Sequence, residues 1–153
     1  MWEAGGAVLP RSQFSVPKPL THRFNLFLVA LVSFGLLDAL WLGAIRAAFY
    51  RTRRTLLARM SGDKLAPLWG PALLVYVLLA VGIVAFVIPR NGADASMARG
   101  ALFGFVVYGV YDLPNLSTLR AWPALLTAVD IAWGAAASAM TTWIVALAHR
   151  VLH

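Results

Sequence analysis

Apolar residues in this chain come in four long blocks, at residues 24–44, 67–88, 98–112 and 123–148, and do not alternate with polar ones. An α-helix rises about 1.5 Å per residue, so roughly 20 apolar residues match the hydrocarbon layer of a membrane, about 30 Å thick. A half-buried strand would instead alternate apolar and polar residues. The pattern therefore predicts an all-α fold: an integral membrane bundle of four transmembrane helices within one domain, residues 24–153.

The residues that flank the blocks indicate where each helix begins. Residues 1–23 contain three prolines and two glycines, and we interpret them as a flexible N-terminal extension. Pro67 and Pro71 suit the first turn of the second helix, and Pro123 suits that of the fourth, because a missing N–H costs least there. Residues 89–92, Pro-Arg-Asn-Gly, are predicted to form a turn.

The segment between the first two helices, residues 45–65, is strongly basic and holds six of the 13 Lys and Arg residues. Its apolar side chains fit a short interfacial helix, and its charges fit a solvated loop equally well. By the positive-inside rule this segment would face the cytoplasm and both termini would lie on the other side. The apolar side chains concerned are Phe49, Leu56, Leu57 and Met60.

The composition is typical of a membrane protein and favours membrane lipids as its partners. Hydrophobic residues make up 61% of the 153 residues and charged residues 12%, against about 25% charged residues in a soluble domain. The net charge of +7 comes from Lys and Arg at the ends of the apolar blocks, which favours membrane lipids over nucleic acid as the partner. Without cysteine, disulfides and thiolate metal sites are excluded. The three histidines lie near the chain ends without metal-ligand spacing, so we predict no metal and no cofactor.

One polar stretch, Tyr111–Pro123, stands between the third and fourth blocks and holds a carboxylate, an amide, two hydroxyls and a guanidinium. Pro114 lacks a backbone donor and disfavours the helical conformation at Leu113. We therefore expect the third helix to end or kink near Asp112, and the rest of the stretch to form a short polar capping loop between helices three and four.

Three aspartates belong to three different predicted helices but to one half of the membrane. Asp38 lies eight residues before Arg46, so roughly 12 Å from that end of its helix. Asp130 lies seven residues after Pro123, so roughly 10 Å from the end of its own helix, and four spans put both ends on one side. Asp112 ends the third span on the same side. The helix count alone therefore predicts that the three carboxylates gather beneath the polar loop.

An ionised carboxylate in a membrane interior costs about 2.5–3.5 kcal/mol even on lenient scales, so these acids must face water, partners or one another. One interpretation is a ligand or proton site. The other is structural, with each acid accepting hydrogen bonds from Trp, Tyr or Ser on a neighbouring helix. An Arg120–Asp112 salt bridge would then only hold the loop. The predicted site comprises Asp38, Asp112, Asn115, Thr118, Arg120 and Asp130.

Two acids are followed three residues later by tryptophan, as Asp38-x-x-Trp41 and Asp130-x-x-Trp133. Their helices would run antiparallel, so we interpret the likeness as a local packing solution and not as a duplication.

Several motifs together resemble a family of small bacterial membrane proteins catalogued as domain of unknown function family 2177. The likeness covers about Phe24 to Val145, while Pro114 departs from the threonine expected there. The resemblance implies a multi-pass protein of the bacterial inner membrane with four helices. It implies no established activity, so it assigns no catalytic residue to this chain. The motifs are Asp38-Ala-Leu-Trp41-Leu-Gly43, Phe49-Tyr50-Arg51, the stretch from Tyr108 to Pro123, and Asp130-Ile-Ala-Trp133-Gly134.

Three functions fit these features. The first is an intramembrane, carboxylate-lined polar site for a small molecule, a lipid headgroup or a proton. The second is a structural or accessory subunit of a larger membrane complex, because glycine and alanine faces suit helix contacts with other subunits. The third is a membrane enzyme acting on a lipid with Mg²⁺, which ranks lowest because no Asp-rich repeat is present.

Overall fold

The computed structural model describes residues 20–41, 43, 60–61, 64–65, 67–89, 95–120 and 122–151, and four helices contain most of these residues. The all-α prediction is confirmed there, apart from a two-residue strand pair, Met60–Ser61 (β1) with Lys64–Leu65 (β2), antiparallel. The helices are α1 (Leu20–Trp41), α2 (Trp69–Gly82, continued by the π-helical segment Ile83–Val87), α3 (Met97–Thr118) and α4 (Ala124–Val151).

Among the described residues, three helical stretches are long and apolar enough to cross a membrane: Leu20–Trp41, Trp69–Val87 and Ala124–Val151. The fourth helix, α3, is as long as α1, with 22 residues each, but it contains Arg99, Asp112 and a polar last turn that lower its hydropathy.

The helices α1 and α4 run antiparallel, and polar pairs hold both ends of their contact. His22 Nε2 lies 2.9 Å from His149 Nδ1, and Trp133 Nε1 donates to Asp38 Oδ1 at 2.8 Å. Sixteen residues separate the two pairs on each helix. Counting inward from a pair in steps of four residues on both helices therefore gives residues at the same height along the bundle axis, which we call level with one another. Those level pairs are buried: Leu26 with Val145, Ala30 with Thr141, and Phe34 with Ala137.

A second face of α4, offset by one residue or about 100° round the helix, packs against α3 through a contact we call the α3/α4 seam. Small residues make this close approach possible. A Cβ built on Gly100 would lie 2.8 Å from the Ser138 carbonyl oxygen and 2.9 Å from Thr142 Cβ. The ring of Tyr108 covers Gly134 in the same way. The seam comprises Gly100, Gly104 and Tyr108 of α3 and Gly134, Ser138 and Thr142 of α4, and the predicted small-residue spacing of Gly100 and Gly104 lies within it.

The buried apolar core lies toward one end of the bundle. The helix α2 packs along α1, and its π-helical segment also contacts α3 and α4. The Arg23 guanidinium donates to the Val84 carbonyl, which ties the start of α1 to the end of α2. The end of the bundle where α1 starts is called the histidine end, because His22 and His149 lie there. The opposite end of the bundle is called the acidic end. The core side chains contributed by α2 are Leu79, Ala80, Ile83, Val84 and Val87.

Helix boundaries differ from the predicted ones in two helices outside the polar stretch. The helix α1 begins at Leu20 and not at residue 24, because His22 and Arg23 find partners on α4 and α2. The helix α2 begins at Trp69, so Pro71 lies in its first turn and Pro67 precedes it. The rest of the extension, most of the basic segment and most of the predicted turn at 89–92 lie outside the described residues, although Met60 belongs to a strand and not to a helix.

Of the two outcomes predicted near Asp112, an end or a kink, the end is wrong, since α3 continues through Pro114 to Thr118. Proline removes one backbone donor inside a helix and usually bends or ends it. Here side chains reinforce the turns around the proline. The hydroxyls of Ser117 and Thr118 both donate to the Pro114 carbonyl, at 2.9 and 2.7 Å, and Asn115 Nδ2 donates to the Tyr111 carbonyl at 3.0 Å.

Candidate functional site

The α3/α4 seam leads to a level pair of aspartates at the acidic end. Its contacts place Gly100 beside Thr142, Gly104 beside Ser138 and Tyr108 beside Gly134, in steps of four residues on both helices. The next step brings Asp112 level with Asp130. Both are buried: Asp112 has no exposed surface and Asp130 keeps 7%. Two carboxylates therefore end a seam that otherwise consists of small and hydroxyl-bearing residues.

This placement constrains the charge of the aspartate pair. Two ionised carboxylates on one level of a buried helix contact repel each other, and burial adds a further desolvation cost. A single proton shared between them removes one charge and turns one acid into a hydrogen-bond donor toward the other. The arrangement of Asp112 and Asp130 is therefore suited to holding a proton.

The third acid, Asp38, lies on the other face of α4, against Trp133. Trp133 donates its indole N–H to Asp38 and stacks on Trp41, with ring centroids 4.4 Å apart and ring planes 3° from parallel. Residues three apart share a helix face, so Asp38 and Trp41 hold the same indole between them. The antiparallel register also brings Trp41 level with Asp130. The Asp-x-x-Trp motif of α1 is thus explained by the packing of Trp133.

The three carboxylates lie at the acidic end, within about one helical turn, ~5 Å, of each other along the bundle axis. They do not converge on one point. The helices α1 and α3 contact different faces of α4 and, within the described residues, make no direct backbone contact. Nor does this part of the chain contain a group of three or more His, Cys, Asp or Glu side chains able to hold a metal ion. Asp38 is therefore separate from the Asp112–Asp130 pair.

The predicted polar loop does not cap the carboxylates with its amide and hydroxyl groups. Asn115 and Thr118 lie in the last turns of α3, and their side-chain donors bond to backbone carbonyls of the same helix. The loop itself is confined to the few residues after Thr118. There Trp122 Nε1 donates to Thr127 Oγ1 at 3.0 Å, which fixes the entry of the chain into α4.

Arg120 is also distant from the acids. It is exposed and follows the end of α3, and the helix rises roughly 9 Å from Asp112 to Thr118. Within the part of the chain that the structure describes, the expected salt bridge between Arg120 and Asp112 is not formed. The reason is the continuation of α3 past Pro114, since a helix ending at Asp112 would have let the chain fold back.

The His22–His149 contact was missed by sequence reasoning, which assigned the histidines no role. A signal for it exists in the spacing. Sixteen residues separate His22 from Asp38 on α1, and sixteen separate Trp133 from His149 on α4. Equal spacing on antiparallel helices allows both polar pairs to form in one register.

Comparison with known proteins gives one match. A family model described as predicted membrane protein (DUF2177) matches residues 23–147, which is most of the chain. No curated protein and no solved structure matches the chain.

Proposed function

Because the chain belongs to the DUF2177 family of predicted membrane proteins, we propose that it is a four-span protein of the bacterial inner membrane that binds a proton between Asp112 and Asp130. The observation that carries this proposal is the burial of both aspartates at the end of the α3/α4 seam. Ionisable residues inside membrane helices are costly and commonly serve proton or ion binding.

The fourth span in this proposal is α3. Its 22 residues reach about 33 Å, enough for the hydrocarbon layer. It packs antiparallel along α4, which is long and apolar enough to cross the membrane. The polar groups that lower its hydropathy are partly hidden, because Asp112 is buried and the last-turn side chains bond to their own backbone.

If α3 crosses the membrane, the residues before and after it lie on opposite sides. The chain has no cysteine, so single cysteines introduced as Ser96→Cys and Arg120→Cys report on each side separately. In sealed vesicles of one orientation, a membrane-impermeant maleimide is expected to label one variant and to reach the other only after the membrane is permeabilised. Labelling of both without permeabilisation would contradict a fourth span.

Among the ligands that the sequence allowed, a proton is favoured by the tightness of the seam. A Cβ built on Gly104 would lie 2.6 Å from the Gly134 carbonyl carbon, and one on Gly134 would lie 2.8 Å from Tyr108 Cβ. Such close approach leaves no room between α3 and α4 for a lipid headgroup or a small organic molecule at these residues, one and two turns from the aspartates. A proton needs no added volume.

In this proposal Asp112 and Asp130 hold the proton, and Asp38 has a different role. Asp38 accepts the indole N–H of Trp133 and so helps to hold α1 against α4. Asn115, Thr118 and Arg120 have no part in proton binding, because two of them bond to the backbone and Arg120 is exposed.

Infrared difference spectroscopy of the purified protein in lipid tests the shared proton. The wild type is expected to show the C=O stretching band of a protonated carboxyl at neutral pH. The double variant Asp112→Asn/Asp130→Asn should lack it, because the two amides replace the acid pair at nearly constant shape. Asp38→Asn is the matched control and should keep the band. A wild type without the band, or a double variant that retains it, would overturn the proposal.

The role of an accessory subunit stays a prediction from the sequence. The described residues expose many large apolar side chains, which fits lipid contact for a membrane protein. No feature of these exposed faces singles out a protein partner.

A further inference from the structure

A hydrogen bond between two titratable side chains joins α1 to α4 at the histidine end. His22 Nε2 and His149 Nδ1 are 2.9 Å apart, and the two rings meet edge to face with centroids 4.9 Å apart. One nitrogen donates and the other accepts, so at least one imidazole must be neutral for the bond to exist.

Three arginines of the described residues belong to the histidine end. Arg23 and Arg150 directly follow the two histidines in sequence, and Arg23 is bonded to the Val84 carbonyl of the π-helical segment. Arg99, near the start of α3, is exposed at the same end. The aspartates of the described residues, in contrast, all lie at the acidic end. A second proton on the His pair would place two like charges on neighbouring imidazoles, with no aspartate of the described residues at this end.

We propose that the His22–His149 pair is a pH-sensitive clasp that holds the start of α1 to the end of α4. Histidine exchanges protons between about pH 5 and pH 8. When both imidazoles are protonated, neither nitrogen accepts, and the two cations repel each other. The hydrogen bond is then lost and the histidine end opens.

The extent of opening follows from the next level pair along the helices. Leu26 and Val145 are buried, with 2% and 0% exposed surface, and lie one turn inside the clasp. Their apolar contact does not depend on pH. The bundle should therefore open at the histidine end while the Asp38–Trp133 pair keeps the acidic end in place. This inference is independent of the proposed proton site, because it involves other residues.

Spin-label distances measured by double electron–electron resonance test the clasp in the full-length protein in lipid. Labels on Leu20→Cys and Val151→Cys report on the histidine end, because both side chains are exposed, at 87% and 83%, and lie level with each other two residues beyond the clasp. From about pH 7.5 to about pH 5 we expect the distance distribution of this pair to shift to longer values.

Two controls separate the clasp from a general effect of acid. Labels on Ala39→Cys and Ala132→Cys, exposed and level with each other at the acidic end, should show no shift. The variant His22→Gln/His149→Gln, whose amides bond to each other without titrating, should hold the histidine end at one distance at both pH values. The single variant His149→Gln keeps a neutral partner for His22 and should also abolish the shift.

Two results would overturn the clasp. One is an unchanged Leu20–Val151 label distance in the wild type at acid pH. The other is an equal shift in the glutamine variants, which would assign the opening to other groups.

Discussion

Replacing Gly104 by alanine is expected to destabilise the bundle by about 3 kcal/mol, the upper end of the usual range for overpacking, because a contact with backbone cannot be relieved by a side-chain rotation. The added Cβ would lie 2.6 Å from the Gly134 carbonyl carbon, and the Ser138 hydroxyl also lies in its path. The helices α3 and α4 would have to separate along the whole α3/α4 seam. Thermal unfolding of the purified protein in a mild detergent, followed by circular dichroism, measures the loss.

Gly109→Ala is the matched control on the same helix. Gly109 is also buried, but nothing lies within 4 Å of a Cβ built there. Alanine is the better helix former by about 1 kcal/mol, so this variant should be as stable as the wild type or slightly more so. Equal behaviour of Gly104→Ala and Gly109→Ala would show that the close approach of α3 and α4 does not limit stability.

Trp133→Ala is expected to cost about 3–5 kcal/mol, the range for truncating a large packed aromatic residue. It removes the stack on Trp41 and the hydrogen bond to Asp38, which together hold the acidic end of α1 against α4. Trp133→Phe should cost less, about 1–3 kcal/mol, because an aromatic ring remains to stack while the hydrogen bond to Asp38 and part of the indole are lost. The same unfolding measurement ranks the two variants.

Trp143→Ala provides the control for Trp133→Ala, since Trp143 lies on the same helix but is 52% exposed. Its loss should change stability by no more than about 0.5 kcal/mol. A Trp133→Ala variant as stable as Trp143→Ala would mean that the contact between α1 and α4 at the acidic end contributes little.

The polar stretch shows why local rules mispredict a helix end. The effect of Pro114 on its own neighbours favours termination near Asp112, and sequence reasoning stopped there. The structure continues the helix because Ser117 and Thr118 donate to the proline carbonyl and Asn115 donates to that of Tyr111. The same continuation separates Arg120 from Asp112. Because the end of the third helix was predicted too early, the Asn115 amide, the Thr118 hydroxyl and the Arg120 guanidinium were expected in a capping loop and not in or beyond the last turns of α3.

The sequence predicted the positions of the three aspartates along the bundle better than it predicted the residues that they contact. Counting residues from the helix ends was enough to expect Asp38, Asp112 and Asp130 at one end, and the register of the helices is consistent with that expectation. Counting could not tell that Asp112 is level with Asp130 while Asp38 meets Trp133 on another face. Which aspartates become neighbours depends on the side of α4 that each helix occupies. The position of a residue along its own helix does not contain that information.

The sequence alone determined that this is a helical membrane protein, which stretches are apolar, and that the acids belong near one end, because those properties depend on each helix separately and on its length. Only the tertiary structure decided the pairing of Gly104 with Ser138, of Asp38 with Trp133 and of His22 with His149. These contacts join side chains of two helices, up to 127 residues apart in the chain, and their register is set by how the volumes and hydrogen-bonding groups of both helices fit together.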